Sequence, residues 1–183
     1  MAWAVWVTGL PGSGKSSVAR NASRMLAERG VHTRVLELDE MRKVVTPEPS
    51  YSPEERDIVY SALAYAASLL VEEGVNVIID ATANYRKYRE LARKLIPDFE
   101  EVYVSCPLEV CIERESRRKA GHAPAGIYEK GLHGKSKTVP GINVPYEPPE
   151  RPIVTVDTET LDQESAGNAA ADAIERRFGG IHE

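Results

Sequence analysis

The chain has 183 residues, of which 42% are hydrophobic and 28% are charged, and its formal net charge at pH 7 is −5. This length is enough for one domain with a buried core, and we expect residues 1–183 to form a single domain. The acidic balance argues against a protein that coats nucleic acid, because such proteins are usually basic overall. We find no apolar stretch near the roughly 20 residues that a membrane helix needs.

The cysteine content and the first residues bear on the cellular compartment. Cys106 and Cys111 are too few for the disulfide framework of a secreted protein, and the apolar run at the start is too short for a signal peptide. We therefore expect a cytoplasmic protein. The two thiols in "VSCPLEVC" could form a redox pair or bind metal, but with no further cysteine nearby we interpret them as small packed hydrophobes.

Short apolar runs alternate with segments of helix-like periodicity along the chain. The predicted strands are 3–8, 33–38, 75–80, 101–105 and 153–157, and the predicted helices are 15–29, 53–73, 85–95, 108–119 and 162–178. The strands are almost continuously hydrophobic, which is typical of a sheet covered on both faces. The alternation predicts an α/β fold with a doubly wound, mostly parallel five-stranded sheet and helices on both faces.

Residues 120–152 interrupt this alternation. The segment is rich in Gly and Pro, and such a long loop within a compact domain is either disordered or functional. It also carries apolar and aromatic side chains that a linker would lack, among them Ile127, Tyr128, Leu132, Ile142 and Tyr146. We therefore predict a lid over about 120–152.

The stretch "GLPGSGKS" after the first strand matches the phosphate-loop pattern G-x-x-x-x-G-K-[ST]. Glycines let the backbone amides approach a phosphate, and the start of the next helix attracts the same anion. Lys15 is expected to reach the β- and γ-phosphates of ATP as a catalytic cation, and the Ser16 hydroxyl to bind Mg²⁺. The expected nucleotide-binding residues are Gly9, Leu10, Pro11, Gly12, Ser13, Gly14, Lys15, Ser16 and Ser17.

A phosphate loop alone leaves the reaction open. A switch-type GTPase should also carry D-x-x-G and N-K-x-D segments, and we find neither in this sequence. Small size and a predicted lid favour a kinase that acts on a small molecule, because such an enzyme must keep water from competing with its acceptor.

Two aspartates and three arginines follow predicted strands at the edge where ligands bind in doubly wound sheets. Asp39 comes just after the second strand and Asp80 ends the third. Asp39 could accept the proton of an acceptor hydroxyl or hold Mg²⁺, and Asp80 is a second candidate for the metal. Arg42, Arg86 and Arg89 are expected near the same edge, where guanidinium groups would bind an anionic acceptor.

Two stretches, "CPLEVCIER" at 106–114 and "PGINVPYEPP" at 140–149, resemble the adenylylsulfate kinase family. The resemblance extends over most of the chain, from the phosphate loop to the strand after Pro152. It implies a P-loop kinase, usually a cytoplasmic homodimer, that uses ATP and Mg²⁺. The implied reaction is phosphorylation of the 3′-hydroxyl of adenylylsulfate (APS) to 3′-phosphoadenylylsulfate (PAPS) in sulfate assimilation.

The resemblance also implies roles for residues before the lid. The family stretch "LDGDNVR" falls on "LELDEMR", which makes Asp39 the catalytic aspartate and Arg42 a substrate-binding arginine. The stretch "FSxxDR" falls on "YSPEER" and assigns Arg56 to the substrate. The stretch "SPYRxDR" falls on "ANYRKYR" and retains Arg86 and Arg89.

Within the lid, two further stretches resemble the family. "AGIYEKG" is similar to "KGLYKKA", which places Ile127 and Lys130 near the nucleotides, and Tyr146, Glu147 and Pro149 match the "PYExP" end of the lid.

Several positions depart from the family pattern. Ala81 and Ala83 stand where the stretch "SFISPYR" has its aromatic residue and its second serine, and Val59 stands where an asparagine is expected. Val139 and Asn143 replace the phenylalanine and aspartate of "FTGID". Stacking of an aromatic side chain on a base is worth about 1–3 kcal/mol in nucleic-acid sites. Without the phenylalanine, and with the other changes, the expected contacts with adenosine are altered.

Two alternatives remain open on the sequence. "DATANYRKYR" also resembles P-loop kinases that act on nucleosides or RNA ends, so the acceptor could be another anionic or nucleoside hydroxyl. A non-catalytic ATP-binding regulatory module is the other alternative.

Overall fold

The computed structural model describes residues 1–117 and 126–179. The strands are β1 Ala4–Thr8, β2 Thr33–Glu37, β3 Asn76–Asp80, β4 Phe99–Ser105 and β5 Val154–Asp157. The helices are α1 Lys15–Glu28, α2 Leu38–Val45, α3 Pro53–Glu72, α4 Arg86–Leu95, α5 Leu108–Arg117, α6 Ile127–Leu132 and α7 Gln163–Phe178. In this part of the chain, no helix is long and apolar enough to cross a membrane.

The five strands form one parallel sheet in the order β2-β3-β1-β4-β5. The predicted doubly wound α/β fold is therefore confirmed. β1 lies at the centre, and all five of its residues are buried because neighbouring strands and helices cover it on every side. The ligand-binding crevice of such a sheet lies at the carboxyl ends of the strands, beside the central strand.

Side chains of β1 alternate between two cores, as the twofold period of a strand requires. Val5 and Val7 pack with residues of α1 and α7 on one face. Trp6 packs with residues of α3 and α4 on the other, where its indole nitrogen also donates a hydrogen bond to the Ala81 carbonyl at 3.0 Å. Both faces of the central strand are thereby covered, and four of its five residues are hydrophobic for that reason.

Two helices lie where the sequence predicted none. α2 begins at Leu38, directly after β2, so Asp39 lies in the first turn of a helix rather than in a loop. Short α6 lies inside the predicted lid. The last two residues of the predicted helix 108–119 and the first residues of the predicted lid lie outside the described residues.

A serine side chain caps the start of α3. The Ser52 hydroxyl accepts a hydrogen bond from the Glu55 amide at 3.2 Å, and Pro53 is the first helical residue. The Glu55 carboxylate accepts from the amides of Ser50 and Tyr51 instead of closing a reciprocal pair with Ser52. Glu55 therefore shapes the loop that precedes α3.

The side chain of Arg89 is buried, with 1% of it exposed. Its Nε donates to Glu101 of β4 at 2.5 Å, and its Nη2 donates to the Glu147 carbonyl at 2.6 Å. A further hydrogen bond joins its Nη1 to the Ala83 carbonyl. Arg89 thus connects α4, the central sheet and the far end of the lid, and its guanidinium is already paired within the protein rather than left for an anionic acceptor as the sequence predicted.

We expect Arg89→Met to lower the free energy of unfolding by about 3 kcal/mol, because removing one partner of a buried pair leaves the other charge uncompensated. This value is at the low end of the range for buried ion pairs. Arg93 still donates a hydrogen bond to Glu101 at 3.0 Å and so partly compensates its charge. Urea denaturation at pH 7 measures it.

Lys87→Met is the matched control. Its ammonium group binds Asp57 at 2.6 Å, but both side chains are more than half exposed, and we expect a change below about 1 kcal/mol. Equal losses in the two variants would contradict a structural role for the buried pair.

Candidate active site

The phosphate loop joins β1 to α1 and requires glycine at two positions by its backbone shape. Gly12 and Gly14 have φ of +78° and +91°, which other residues rarely adopt. A Cβ atom on Gly12 would lie 2.5 Å from the Cys111 carbonyl oxygen. α1 begins at Lys15 with no side-chain cap. Its first amide groups are therefore left for an anion.

Three side chains from distant parts of the chain hold this loop in place. The Tyr128 hydroxyl donates to the Pro11 carbonyl at 2.7 Å, and the Thr158 hydroxyl donates to the Ser13 carbonyl at 2.6 Å. Arg114 in turn donates to the Thr158 carbonyl at 2.6 Å. Sequence reasoning missed these roles, because α5, α6 and the segment after β5 meet only in the folded chain and no motif spacing relates them.

A cavity of about 480 Å³ opens beside the phosphate loop. It brings together these residues that the sequence predicted for the site: Pro11, Gly12, Lys15, Ser16, Asp39, Arg42, Arg56, Asp80, Ile127 and Lys130. It is also lined by residues that were not predicted, among them Tyr51, Tyr60, Lys135, Lys137 and Thr138. Tyr51 lies in the loop before α3 and is the first residue of "YSPEER". That stretch also contains the predicted Arg56, so the sequence offered a signal for Tyr51 as well.

Arg42 forms one wall of the cavity and is held there by Glu55. Its guanidinium donates to Glu55 at 2.6 Å and lies 4.9 Å from the centre of the Tyr51 ring. Burial by itself would raise the pKa of Glu55, but hydrogen bonds from Ser50, Arg42 and Tyr51 outweigh it and lower this pKa to about 2. The carboxylate is therefore charged at neutral pH and fixes the orientation of Arg42.

Arg56 lies on the cavity wall and contacts the lid. It donates to the Thr138 carbonyl at 2.5 Å and to the Asn84 side chain at 3.2 Å. Asn84 is buried and donates to the Pro145 carbonyl at 3.1 Å. Arg56 therefore combines a position at the cavity with a connection between α3 and the lid.

Arg86 does not line the cavity. Its Nε donates to the Pro148 carbonyl at 3.2 Å, its guanidinium pairs with Glu150, and its amide donates to Glu147 at 2.8 Å. Among the described residues, the arginines that line the cavity are Arg42 and Arg56, whereas Arg86 holds the lid end together with Arg89.

The lid end also contacts the central strand. The hydroxyls of Tyr146 and Thr8 are 2.9 Å apart, and the Glu147 amide donates to the Asn84 carbonyl at 2.8 Å. The Tyr146 ring stacks on Tyr103 of β4 with 6.1 Å between centroids. The matched "PYExP" residues thus anchor the lid to the sheet.

The positions that depart from the family pattern are mostly buried. Ala83 has a φ of +43°, and its amide donates to the Tyr60 hydroxyl at 3.0 Å. Val139 packs in a small cluster with Cys111 and Tyr128 and lines the cavity. Asn143 donates to the Gly131 carbonyl at 3.3 Å within the lid. Cys111 is thus a packed hydrophobe, as its sequence context predicted.

Asp80 lies at the tip of β3 and faces the cavity with 5% of its surface exposed. Burial raises its pKa above the ordinary range, while the charge of Lys15 and a hydrogen bond with Ser16 act in the opposite direction. Its Oδ1 atom has no hydrogen-bond partner among the described residues.

Comparison with known proteins points to one family. The family model described as adenylylsulphate kinase matches residues 1–157. An adenylyl-sulfate kinase from Halothermothrix orenii is 36% identical over 93% of this chain and 86% of its own length. A probable adenylyl-sulfate kinase from Archaeoglobus fulgidus is 36% identical over 89% of this chain and 100% of its own.

Solved structures give the same picture. The APS kinase of Mycobacterium tuberculosis, solved in complex with AMPPNP and APS, superposes with a TM-score of 0.82 at 31% identity and covers 95% of this chain and 98% of its own. A gluconokinase from Sinorhizobium meliloti superposes with a TM-score of 0.62 at 19% identity over 98% and 95% of the two chains, which shows a shared fold.

We expect Glu55→Gln to destabilise the protein by about 1–3 kcal/mol at pH 7, because a pKa shift of one unit corresponds to about 1.4 kcal/mol. The folded-state pKa is about 2 and the ordinary value is 4.5. The stabilisation is therefore complete above about pH 4.5 and disappears as the pH falls towards 2. Urea denaturation of both proteins between pH 7 and pH 3 measures the difference.

Glu54→Gln removes a neighbouring exposed carboxylate and is the control. A destabilisation by Glu55→Gln that stayed constant over the whole pH range would refute the ion-pair explanation.

Proposed function

The chain belongs to the adenylyl-sulfate kinase family, and on this basis we propose that it transfers the γ-phosphoryl group of ATP to the 3′-hydroxyl of adenylylsulfate to give PAPS. The observation that carries the proposal is a cavity that is lined both by Lys15 and Ser16 of the phosphate loop and by Asp39, Arg42 and Arg56. Such a cavity can hold a phosphoryl donor and an anionic alcohol acceptor together.

The phosphate loop, residues 9–17, binds the triphosphate of ATP. Its backbone amides and the start of α1 attract the β- and γ-phosphates. Lys15 stabilises the charge that spreads over the transferring phosphoryl group. These positions follow from the loop shape that Gly12 and Gly14 impose.

The acceptor lies on the opposite wall. Asp39 accepts the proton of the 3′-hydroxyl as its oxygen bonds to the γ-phosphorus and the bond from that phosphorus to the ADP oxygen breaks. Arg42 and Arg56 bind the phosphosulfate, since planar guanidinium groups suit oxyanions. Arg86 has its hydrogen bonds in the lid end, so we do not assign it to the substrate.

The oxygen ligands that Mg²⁺ prefers are present at the junction of the two subsites. The Ser16 hydroxyl and the carboxylates of Asp39 and Asp80 line the same cavity and would fit such an ion. When bound with ATP, Mg²⁺ neutralises charge on the β- and γ-phosphate oxygens. Ser16 would orient the phosphates, and Asp39 would face the acceptor hydroxyl.

The segment 120–152 acts as a lid that excludes water during transfer. Within its described part, Ile127 and Lys130 line the cavity, and Tyr128 binds the phosphate loop. Lys130 adds a positive charge close to the nucleotides. The family stretch has an aromatic residue where this chain has Val139. The ring of Tyr51, which lines the same cavity, offers an aromatic wall for the adenine instead.

The decisive experiment is ADP release from MgATP in the presence of different acceptors. We expect release with adenylylsulfate and only background release with nucleosides or with RNA carrying a 5′-hydroxyl. Lys15→Ala should lower the rate by about 10³–10⁵-fold, the range attributed to cationic stabilisation of phosphoryl transfer, without loss of stability.

Lys94→Ala, an exposed change at the end of α4, should behave as wild type. ADP release with another acceptor would redirect the substrate assignment. Stabilisation by ATP without any ADP formation would favour a regulatory module.

The protein functions in the cytoplasm as a homodimer in this proposal. Exposed apolar side chains on α3 support an interface, with Ile58, Tyr65 and Leu69 exposed by 64%, 58% and 43%. Their spacing places them along one stripe of the helix.

We expect sedimentation equilibrium to give twice the mass of the 20.2 kDa chain, and Tyr65→Glu to give the monomer mass because a charge would have to be buried in the interface. Lys94→Glu serves as the control for added charge. A wild-type monomer at micromolar concentration would rule out the dimer.

A further inference from the structure

The direction of the Asp80 side chain follows from strand alternation. Ile78 packs on the α1 side of the sheet and Ile79 on the α3 side. Asp80, two residues after Ile78, therefore points to the α1 side, and β3 ends there beside the start of α1. The electrostatic influence of Lys15 and the hydrogen bond with Ser16 agree with this placement.

Asp80 is a buried acceptor with unused capacity. Its Oδ1 has no hydrogen-bond partner among the described residues. Its register neighbour on β2 is Glu37, whose carboxylate receives Arg20 at 3.4 Å. A buried polar atom without a partner calls for a specific explanation, such as a bound water or ion.

The surroundings of Asp80 do not form a closed metal site. In residues 1–117 and 126–179, no group of three or more His, Cys, Asp or Glu side chains could hold a metal ion. Mg²⁺ usually keeps several of its waters and binds through one or two carboxylates together with substrate phosphates. Asp80 and Ser16 are therefore suited to a site that the nucleotide completes.

We propose that Asp80 is the carboxylate that holds Mg²⁺, directly or through its water shell, when a nucleotide occupies the phosphate loop. The inference deepens the proposed function and rests on it. It assigns the two aspartates separate roles, with Asp80 and Ser16 on the metal side and Asp39 free to face the acceptor hydroxyl.

The location of Asp39 agrees with this division. It projects from the first turn of α2 and lines the cavity, and its charge contributes to raising the pKa of Tyr51 and Tyr60 on the acceptor side. Asp80 lies deeper, at the base of the loop. The family stretch "SFISPYR" has serine at the position of Asp80, so this carboxylate is not part of the motif that assigned Asp39.

The test compares ADP affinity with and without metal by isothermal titration calorimetry. In Asp80→Asn, we expect affinity for ADP in excess Mg²⁺ to fall at least tenfold. Affinity for ADP in EDTA should stay the same or rise, because a carboxylate beside the phosphates repels them when no cation lies between. The ligand-free variant should melt no lower than wild type, since a buried carboxylate with one unpaired oxygen is lost.

Glu37→Gln is the matched control, because it removes one negative charge from the neighbouring position on β2, and it should leave the ratio of the two affinities within twofold. Asp80→Ser, with a smaller neutral side chain, should repeat the result of Asp80→Asn and covers the case in which the asparagine variant does not fold. An equal fall of both affinities would mean a structural role, and no fall in either would mean no contact with the metal. Both outcomes overturn the proposal.

The measurement uses no acceptor, so it separates the two proposals. If adenylylsulfate proves not to be the acceptor, the Mg²⁺-dependent difference in ADP affinity still decides the role of Asp80.

Discussion

The structure depends on one constraint, the left-handed backbone of the phosphate loop. Gly12 and Gly14 adopt positive φ, and the loop passes so close to the Cys111 carbonyl that a side chain on Gly12 would collide with it. Only this path leaves the first amides of α1 unpaired and directed at an anion. The hydroxyls of Tyr128 and Thr158 donate hydrogen bonds to two loop carbonyls. The loop is therefore held in this shape by the protein itself.

The balance of charge in the cavity follows from how each group is paired. Glu55 pairs with Arg42 and orients it, which keeps a guanidinium on the wall of the cavity. Lys15 and Asp80 line the same cavity, and burial raises the pKa of Asp80 despite the nearby charge of Lys15. In the proposed function, such a site takes a ligand that brings both phosphate and a divalent metal.

The lid is attached to the fold at positions that also build the cavity. Arg89 joins the lid end to β4, Asn84 joins it to Arg56, and Tyr146 meets the central strand. Buried hydrogen bonds of this kind stay formed because breaking one leaves a polar group without a partner. The far end of the lid is therefore held in place by the sheet.

The sequence alone determined the sheet, the phosphate loop and the position of Asp39 at a strand end, because strand periodicity and glycine requirements act within a few residues. It could not determine where the arginines point. Arg86 and Arg89 lie on α4, which follows the strand end where the sequence predicted the site. Their partners Glu101, Glu147 and Glu150 come from other parts of the chain. The bracing by Thr158 and the unpaired oxygen of Asp80 were likewise decided by tertiary structure, since burial and hydrogen bonding depend on residues that only folding brings together.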